Sequence, residues 1–531
     1  MKNDSVLAIL PAAFVWVAAA SIGTTASADV RLPKILSDHM VLQTGKPATF
    51  WGWADAGEEV TVNVAGKSAK TKAGADGKWS LKLELPAASD KPVEVTVSGK
   101  NTIKIEDVLI GEVWICSGQS NMAMNVAQTT LEPGEVAAAN YPMIRHFKVR
   151  QIPSLTPKDD VEGKWEVCSP STVGEFTGVG YYFGKTLQTQ LKVPVGLLGS
   201  NWGGTPVQAW TSRSVLDAQA EKVPSVKLKL EAAEKRKSTY TPELGKEEND
   251  KKLEAWKKVA EKAKAEGKPE PRKPPMSLSP DKDPHLPANL YNGMIAPLLS
   301  LSIRGAIWYQ GEANVGDGYD YREQFSGMIR GWRKDFGQGD FPFYFVQIAP
   351  YQYAGKGGPT AADKTRCAQL WDSQLWTYKN VPNTGMAVVT DLVDDLKDIH
   401  PKNKRDVGNR LALWALAKTY GKTGDVYSGP LYKSSEVQGN AVKITFDFAE
   451  GLTTRDGQAP SYLEIAGADE KFVPAVGKID GNVLLVTSSE VAKPVAVRFA
   501  WTEDAQPNLV NGAKLPASPF RTDSFKVSTQ K

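Results

Sequence analysis

Five strand-like apolar runs end near Cys116, Leu198, Gln310, Ile348 and Thr390, and helix-like stretches such as residues 321–336 and 369–379 lie between them. That alternation constrains the fold more than any other feature of the chain. Short apolar runs bounded by turn residues suit strands covered on both faces. Strand–helix alternation makes such a sheet parallel, with helices on each side, and the fold class is α/β. In sheets of this kind, functional groups gather in the crevice outside the carboxyl ends of the strands.

The first run, residues 108–116, stops at Gly118-Gln119-Ser120-Asn121-Met122. A serine at a strand-to-helix turn lifts its hydroxyl above the sheet edge. The backbone N–H groups of the helix start lie beside it and can hold an oxyanion. The competing reading of Ser120 is a helix N-cap. A serine nucleophile needs a base, and the chain has only four histidines: His39, His146, His285 and His400. His400 follows the run 386–390 in Asp398-Ile399-His400-Pro401, ahead of a helix-like segment at 403–420. In an extended loop, residues two apart point the same way, so Asp398 can reach the His400 ring and fix its tautomer. His39 reads as structural. His146 and His285 lack a comparable strand-end setting.

Four motifs occur in order, all at strand ends: Gly118-Gln119-Ser120-Asn121-Met122, Gly203-Gly204-Thr205-Pro206, Trp308-Tyr309-Gln310-Gly311-Glu312 and Asp398-Ile399-His400-Pro401. Over roughly residues 30 to 420 the chain resembles the sialate O-acetylesterase family, a carbohydrate-esterase branch of the SGNH hydrolases. The resemblance implies a three-layer α/β/α SGNH (flavodoxin-like) parallel sheet between two β-sandwiches. It implies a serine esterase that removes O-acetyl groups from carbohydrates, sialic acid first among them, through an acetyl-serine intermediate. Acetylxylan or another acetylated polysaccharide is the alternative substrate, and a non-catalytic glycan-binding protein the alternative of another class. The implied catalytic residues are Ser120, His400 and Asp398. Many SGNH relatives place the aspartate three residues before the histidine, where this chain has Lys397, so Asp391, Asp394 and Asp395 stand in reserve. The oxyanion hole is expected from the Ser120 and Gly204 backbone N–H groups, with Gly203 close behind, and from the Gln310 side chain, with Asn314 as substitute; the competing reading of Gln310 is a satisfied polar residue at a strand end. Asn121, Trp202, Gly203 and Glu312 are placed at the substrate site, Glu312 as a hydrogen-bond partner behind it rather than as a catalytic acid. Trp202 and Trp210 flank the second motif as candidates to stack on a sugar ring.

The rest of the chain divides around this region. Lys2, an apolar stretch over residues 6–22 and Ala26-Ser27-Ala28 read as a secretory signal over residues 1–28, hence an exported, periplasmic or secreted protein. Residues 29–105 alternate apolar and polar positions between glycine-rich turns and read as a β-sandwich. Residues 106–424 form the esterase domain, interrupted at 213–285 by a segment rich in Lys, Glu and Ala that reads as exposed helices, Leu253, Trp256 and Val259 hinting at one buried face. Residues 425–531 read as a second β-sandwich.

The net charge of +4 and the lack of a basic stripe argue against nucleic acid. No segment of the mature chain is apolar enough to span a bilayer. Three cysteines and four scattered histidines offer no metal spacing, and no cofactor fingerprint is present. Cys116 reads as a packing residue. If any pair forms a disulfide, it is Cys168 with Cys367.

Overall fold

In a computed structural model the described residues are Met1, 29–354 and 363–529. The secretory signal expected over 1–28 lies outside them, apart from Met1. The central sheet comprises β1 (Thr102–Gly118), β2 (Tyr141–Lys148), β3 (Trp165–Cys168), β4 (Val195–Asn201), β5 (Gly305–Tyr309), β6 (Phe343–Val346) and β7 (Thr384–Ala387). Their spatial order is β7-β6-β5-β1-β4-β2-β3. Every pairing is parallel except that of β2 with the edge strand β3. The parallel sheet expected from the apolar runs is present, and β5, β6 and β7 are buried along their whole length.

Side chains alternate across a strand, so the aromatics report what covers each face. Trp114 meets Phe183 and stacks on Tyr344, which faces Trp414. Phe183 belongs to α2 (Gly178–Leu191) and Trp414 to α8 (Lys404–Trp414). Trp308, Phe343 and Phe345 instead meet Phe325 of α6 (Asp320–Phe336), and Trp308 and Phe343 also meet its Trp332. Tyr344 lies between Phe343 and Phe345 in sequence, so α2 and α8 pack on one face and α6 on the other. Another helix, α7 (Arg366–Asn380), packs beside α6.

β1 is 17 residues long. Its first half alternates exposed and buried positions and pairs with Ser89–Ser98, which pairs with Glu59–Val64. From Val108 onward every residue is buried. One strand therefore serves an N-terminal sheet and the central one, and the domain boundary placed at 105/106 falls inside it. The change in hydrophobic pattern there marks a change in burial, not a break in the chain.

The segment 213–285 is helical as expected, with α3 (Arg213–Ala220), α4 (Pro224–Thr239) and α5 (Pro242–Ala265). In α5 the only buried residue is Gly245; Leu253 and Trp256 are half-buried and Val259 is exposed. Beyond 425 the chain forms two four-stranded sheets, Leu431–Gln438 with Ala441–Asp447, Val483–Thr487 and Val476–Asp480, and Phe472–Pro474 with Leu463–Ala466, Ala496–Phe499 and Phe520–Arg521. Cys116, Cys168 and Cys367 are all free and buried, so the suggested Cys168–Cys367 bridge is absent. No described helix is long and apolar enough to cross a membrane.

Candidate active site

β1 is the strand at which the chain order reverses. The chain builds β2 and β4 on one side of it, then crosses to β5 on the other. Asn201 at the end of β4 and Tyr309 at the end of β5 flank Gly118 in register. Three motifs are thereby brought to one point. Two backbone bonds staple them: Trp202 N–H to Gly118 O at 3.0 Å and Gln119 N–H to Tyr309 O at 2.9 Å. Gln119 Oε1 also accepts from the Gly311 and Ala313 N–H groups. Position 118 requires glycine, because φ is 134° and a Cβ would stand 2.2 Å from Tyr309 O.

Ser120 opens the expected helix, α1, which is a single turn, Ser120–Ala123. The Met122 and Ala123 N–H groups return to Gln119 O. Among the described residues, that leaves the first two N–H groups, of Ser120 and Asn121, without backbone acceptors. Ser120 is partly exposed. It lines an open cleft of about 560 Å³ with Gly203, His400, Lys402, Ala123, Met124 and Gln128. Gly203 lies directly against the serine: a Cβ there would be 3.3 Å from Ser120 Cβ. Gly204 has a φ of 75° and is exposed.

His400 is the one histidine lining this cleft. Burial holds its imidazole below the usual range; Asp398 opposes that shift, while Lys404 and Lys402 reinforce it. Asp398 Oδ1 accepts from the His400 backbone N–H at 2.9 Å and lies 3.6 Å from Nδ1. The carboxylate is therefore beside the ring but beyond good hydrogen-bond distance. Asp391 is committed elsewhere, bidentate on Arg410, and Asp395 accepts from Lys397 N–H. His39 pairs with Asp107. His146 is fully buried, pushed down to about 3 by burial, and stacks on Phe176. His285 has a feature the sequence did not suggest. Its Nδ1 is 3.1 Å from Asp283 Oδ1, and its Nε2 comes within 4.0 Å of a Cβ position on Gly204, the residue after the cleft-lining Gly203.

Several expected contacts lie beneath the cleft floor. Gln310 is fully buried, its Nε2 donating to Thr205 O at 3.2 Å and Asn314 Oδ1 at 2.6 Å, its Oε1 accepting from Tyr321 OH at 2.8 Å. That amide is spent within the fold. Its substitute Asn314 donates to Gln208 and Asp317. Trp210 is fully buried, its indole N–H on Thr205 Oγ1, so no sugar can stack on it; Trp202 stays half-buried. Asn121 and Glu312, expected at the substrate site, form a buried pair instead, Asn121 Nδ2 donating to Glu312 Oε1 at 2.5 Å. Lys404, which the sequence reading passed over, completes it by donating to Asn121 Oδ1 at 2.7 Å.

What this corner of the molecule can do chemically is open an ester: a hydroxyl and an imidazole share a cleft whose floor offers free N–H groups and a close-packed glycine. Comparison with known proteins agrees. A family model described as carbohydrate esterase, sialic acid-specific acetylesterase, matches residues 282–417. The sialate O-acetylesterase of Rattus norvegicus is 30% identical over 542 residues, spanning 94% of this chain and 96% of that one. The human sialate O-acetylesterase is 28% identical over 532 residues, spanning 92% of each. A crystal structure of a carbohydrate acetylesterase from Xanthomonas citri superposes with a TM-score of 0.77 at 36% identity, covering 93% of this chain and all of that one. The protein is a carboxylic ester hydrolase. It belongs to the sialate O-acetylesterase family of carbohydrate esterases.

Proposed function

We propose that this chain hydrolyses O-acetyl esters of sialic acid, with Ser120 as nucleophile and His400 as base. The observation that carries the reading is the shared cleft of Ser120, His400 and Gly203 at the reversal point of the sheet. Ser120 Oγ attacks the acetyl carbonyl carbon as His400 removes its proton. The carbonyl oxygen becomes an oxyanion beside the N–H groups of Ser120 and Gly203, with Gly204 next in line. Collapse of the tetrahedral intermediate breaks the bond to the sugar oxygen, and His400 returns the proton to that oxygen. Water, deprotonated by His400, then hydrolyses acetyl-Ser120 to acetate and free serine. Asp398 orients the ring, its 3.6 Å gap closing when the imidazolium forms. Gln310 takes no part in this mechanism.

A sialic acid carries a carboxylate, and Lys402 is the cation lining the cleft. That favours an acidic sugar over a neutral xylan, as do the names of the mammalian relatives. The sheet, its strand order and its helices suit the three-layer SGNH architecture. The regions 29–105, 106–424 and 425–531, the first two joined through β1 and not separated at 105/106, and export through residues 1–28 belong to the same reading. Acetate release is the test, measured on O-acetylated sialic acid, acetylated xylan and an acetylated neutral hexose. Faster turnover of the sialic acid ester supports the assignment, and preference for either neutral substrate overturns it.

A further inference from the structure

His400 projects from a loop whose carbonyls on either side are held by the nucleophile's own neighbour and by a lysine. Asn121 Nδ2 donates to Ile399 O at 3.0 Å as well as to Glu312. Lys404 Nζ donates to Pro401 O as well as to Asn121 Oδ1. The residues before and after His400 are thus both tied to Asn121, which directly follows Ser120. Lys404 is the first residue of α8 and is completely buried, its ammonium 5.4 Å from the centre of the Tyr309 ring. Glu312 is also buried, and its second carboxylate oxygen has no partner among the described residues. A buried lysine and carboxylate are costly to a fold unless each is held. Here they hold opposite ends of one asparagine, Glu312 at 2.5 Å and Lys404 at 2.7 Å, and neither side chain lines the cleft.

We propose that Lys404, through Asn121 and the Pro401 carbonyl, is a positioning residue that fixes the distance and angle between Ser120 and His400. The proposal rests on the roles assigned above to those two residues. Asn121 spends its carbonyl on Lys404 and its amide on Glu312 and Ile399 O, so its orientation is fixed by the groups on either side. Removing the ammonium frees Pro401 O and the carbonyl end of Asn121 together, and the His400 loop loses one of its two anchors. A displacement of about 1 Å at a reacting group costs about 10²-fold in rate. The charged groups around His400 are Asp398, Lys402 and Lys404, and those around Lys404 are Glu312, Lys402 and Asp398. Lys404 disfavours the imidazolium, so its loss also moves the acid limb of activity.

The experiment compares Lys404→Met, Glu312→Gln and the double variant Lys404→Met/Glu312→Gln in the full chain, on an activated acetyl ester. Ser120→Ala and His400→Ala are run beside them. Lys404→Met is expected to lower kcat about 10²-fold, leave KM within about threefold, and shift the acid limb of kcat/KM to higher pH. If that single variant fails to fold because Glu312 is left unbalanced, the double variant carries the test, since it buries neither charge. A folded double variant with low kcat, unchanged KM and a raised acid limb supports positioning. A folded double variant with kcat within about threefold of wild type and an unmoved acid limb overturns it. Glu312→Gln keeps both lysine bonds and is expected to stay within about fivefold; a loss as large as that of Lys404→Met overturns the assignment to the lysine. If Ser120→Ala or His400→Ala retains activity, the underlying assignment of nucleophile and base fails, whatever Lys404 does.

Discussion

Gln310→Ala is expected to weaken the fold and spare the chemistry. Truncation removes an amide that satisfies Thr205 O, Asn314 Oδ1 and Tyr321 OH in a site without solvent. The three losses are unequal. Tyr321 OH already lies 3.3 Å from Gln310 O, a backbone acceptor the alanine keeps. Asn314 Oδ1 still receives Val207 N–H at 2.9 Å. Thr205 O is left with one donor fewer, and a small cavity opens. One unmet buried partner plus that cavity amounts to about 2–4 kcal/mol. Thermal unfolding should therefore move down by several degrees, while kcat of the folded fraction stays within about threefold. Gln310→Glu should be worse for stability, because a carboxylate turns an acceptor toward Thr205 O and Asn314 Oδ1. Melting curves and turnover are measured on the same preparations. A loss of about 10² in kcat with unchanged melting, the signature of a missing oxyanion donor, would refute this reasoning and return Gln310 to the site.

Three further outcomes follow from the geometry. Activity should rise with pH along an acid limb centred below 6.5, because His400 acts as a base only when neutral and burial lowers its pKa from that value; a limb above 6.5 in the kcat/KM profile contradicts the assigned environment. His400→Ala should reduce acetate release about 10³-fold or more while His285→Ala changes it less than tenfold; the reverse order would transfer the base to the Asp283–His285 pair beside Gly204. Replacing residues 241–276 by a short Gly/Ser linker should leave a folded enzyme active on a small acetyl ester, since α5 buries only Gly245 and lines no part of the Ser120 cleft; loss of soluble protein or of turnover would show that α5 supports the fold or covers the site.

The sheet was legible because parallel strands covered on both faces appear as apolar runs, and β1 from Val108 onward is such a run. That Ser120 and His400 come to one cleft was legible for a related reason: each follows an apolar run, and few histidines compete. What escaped is burial of polar groups. Gln310, Asn121 and Glu312 stand at strand ends as a ligand-binding residue would; for Gln310 a satisfied polar residue is the competing reading, and nothing local decides which way such side chains turn. Lys404 reads as a surface residue in Lys402-Asn403-Lys404-Arg405; its burial depends on how α8 docks against the Ser120 turn. Trp202 and Trp210 flank the same motif, yet one is half-exposed and the other is locked against Thr205. The continuity of β1 through 105/106 was hidden because the hydrophobic pattern changes from alternating to unbroken within one strand.

The most direct measurement is acetate release from O-acetylated sialic acid by Ser120→Ala beside wild type, with melting temperature recorded for both. The hydroxyl has no hydrogen-bond partner among the described residues, so its removal should leave melting within about 1 °C. Turnover should fall about 10³-fold or more. A Ser120→Ala protein with unchanged melting that keeps a tenth of wild-type turnover would contradict the account at its centre.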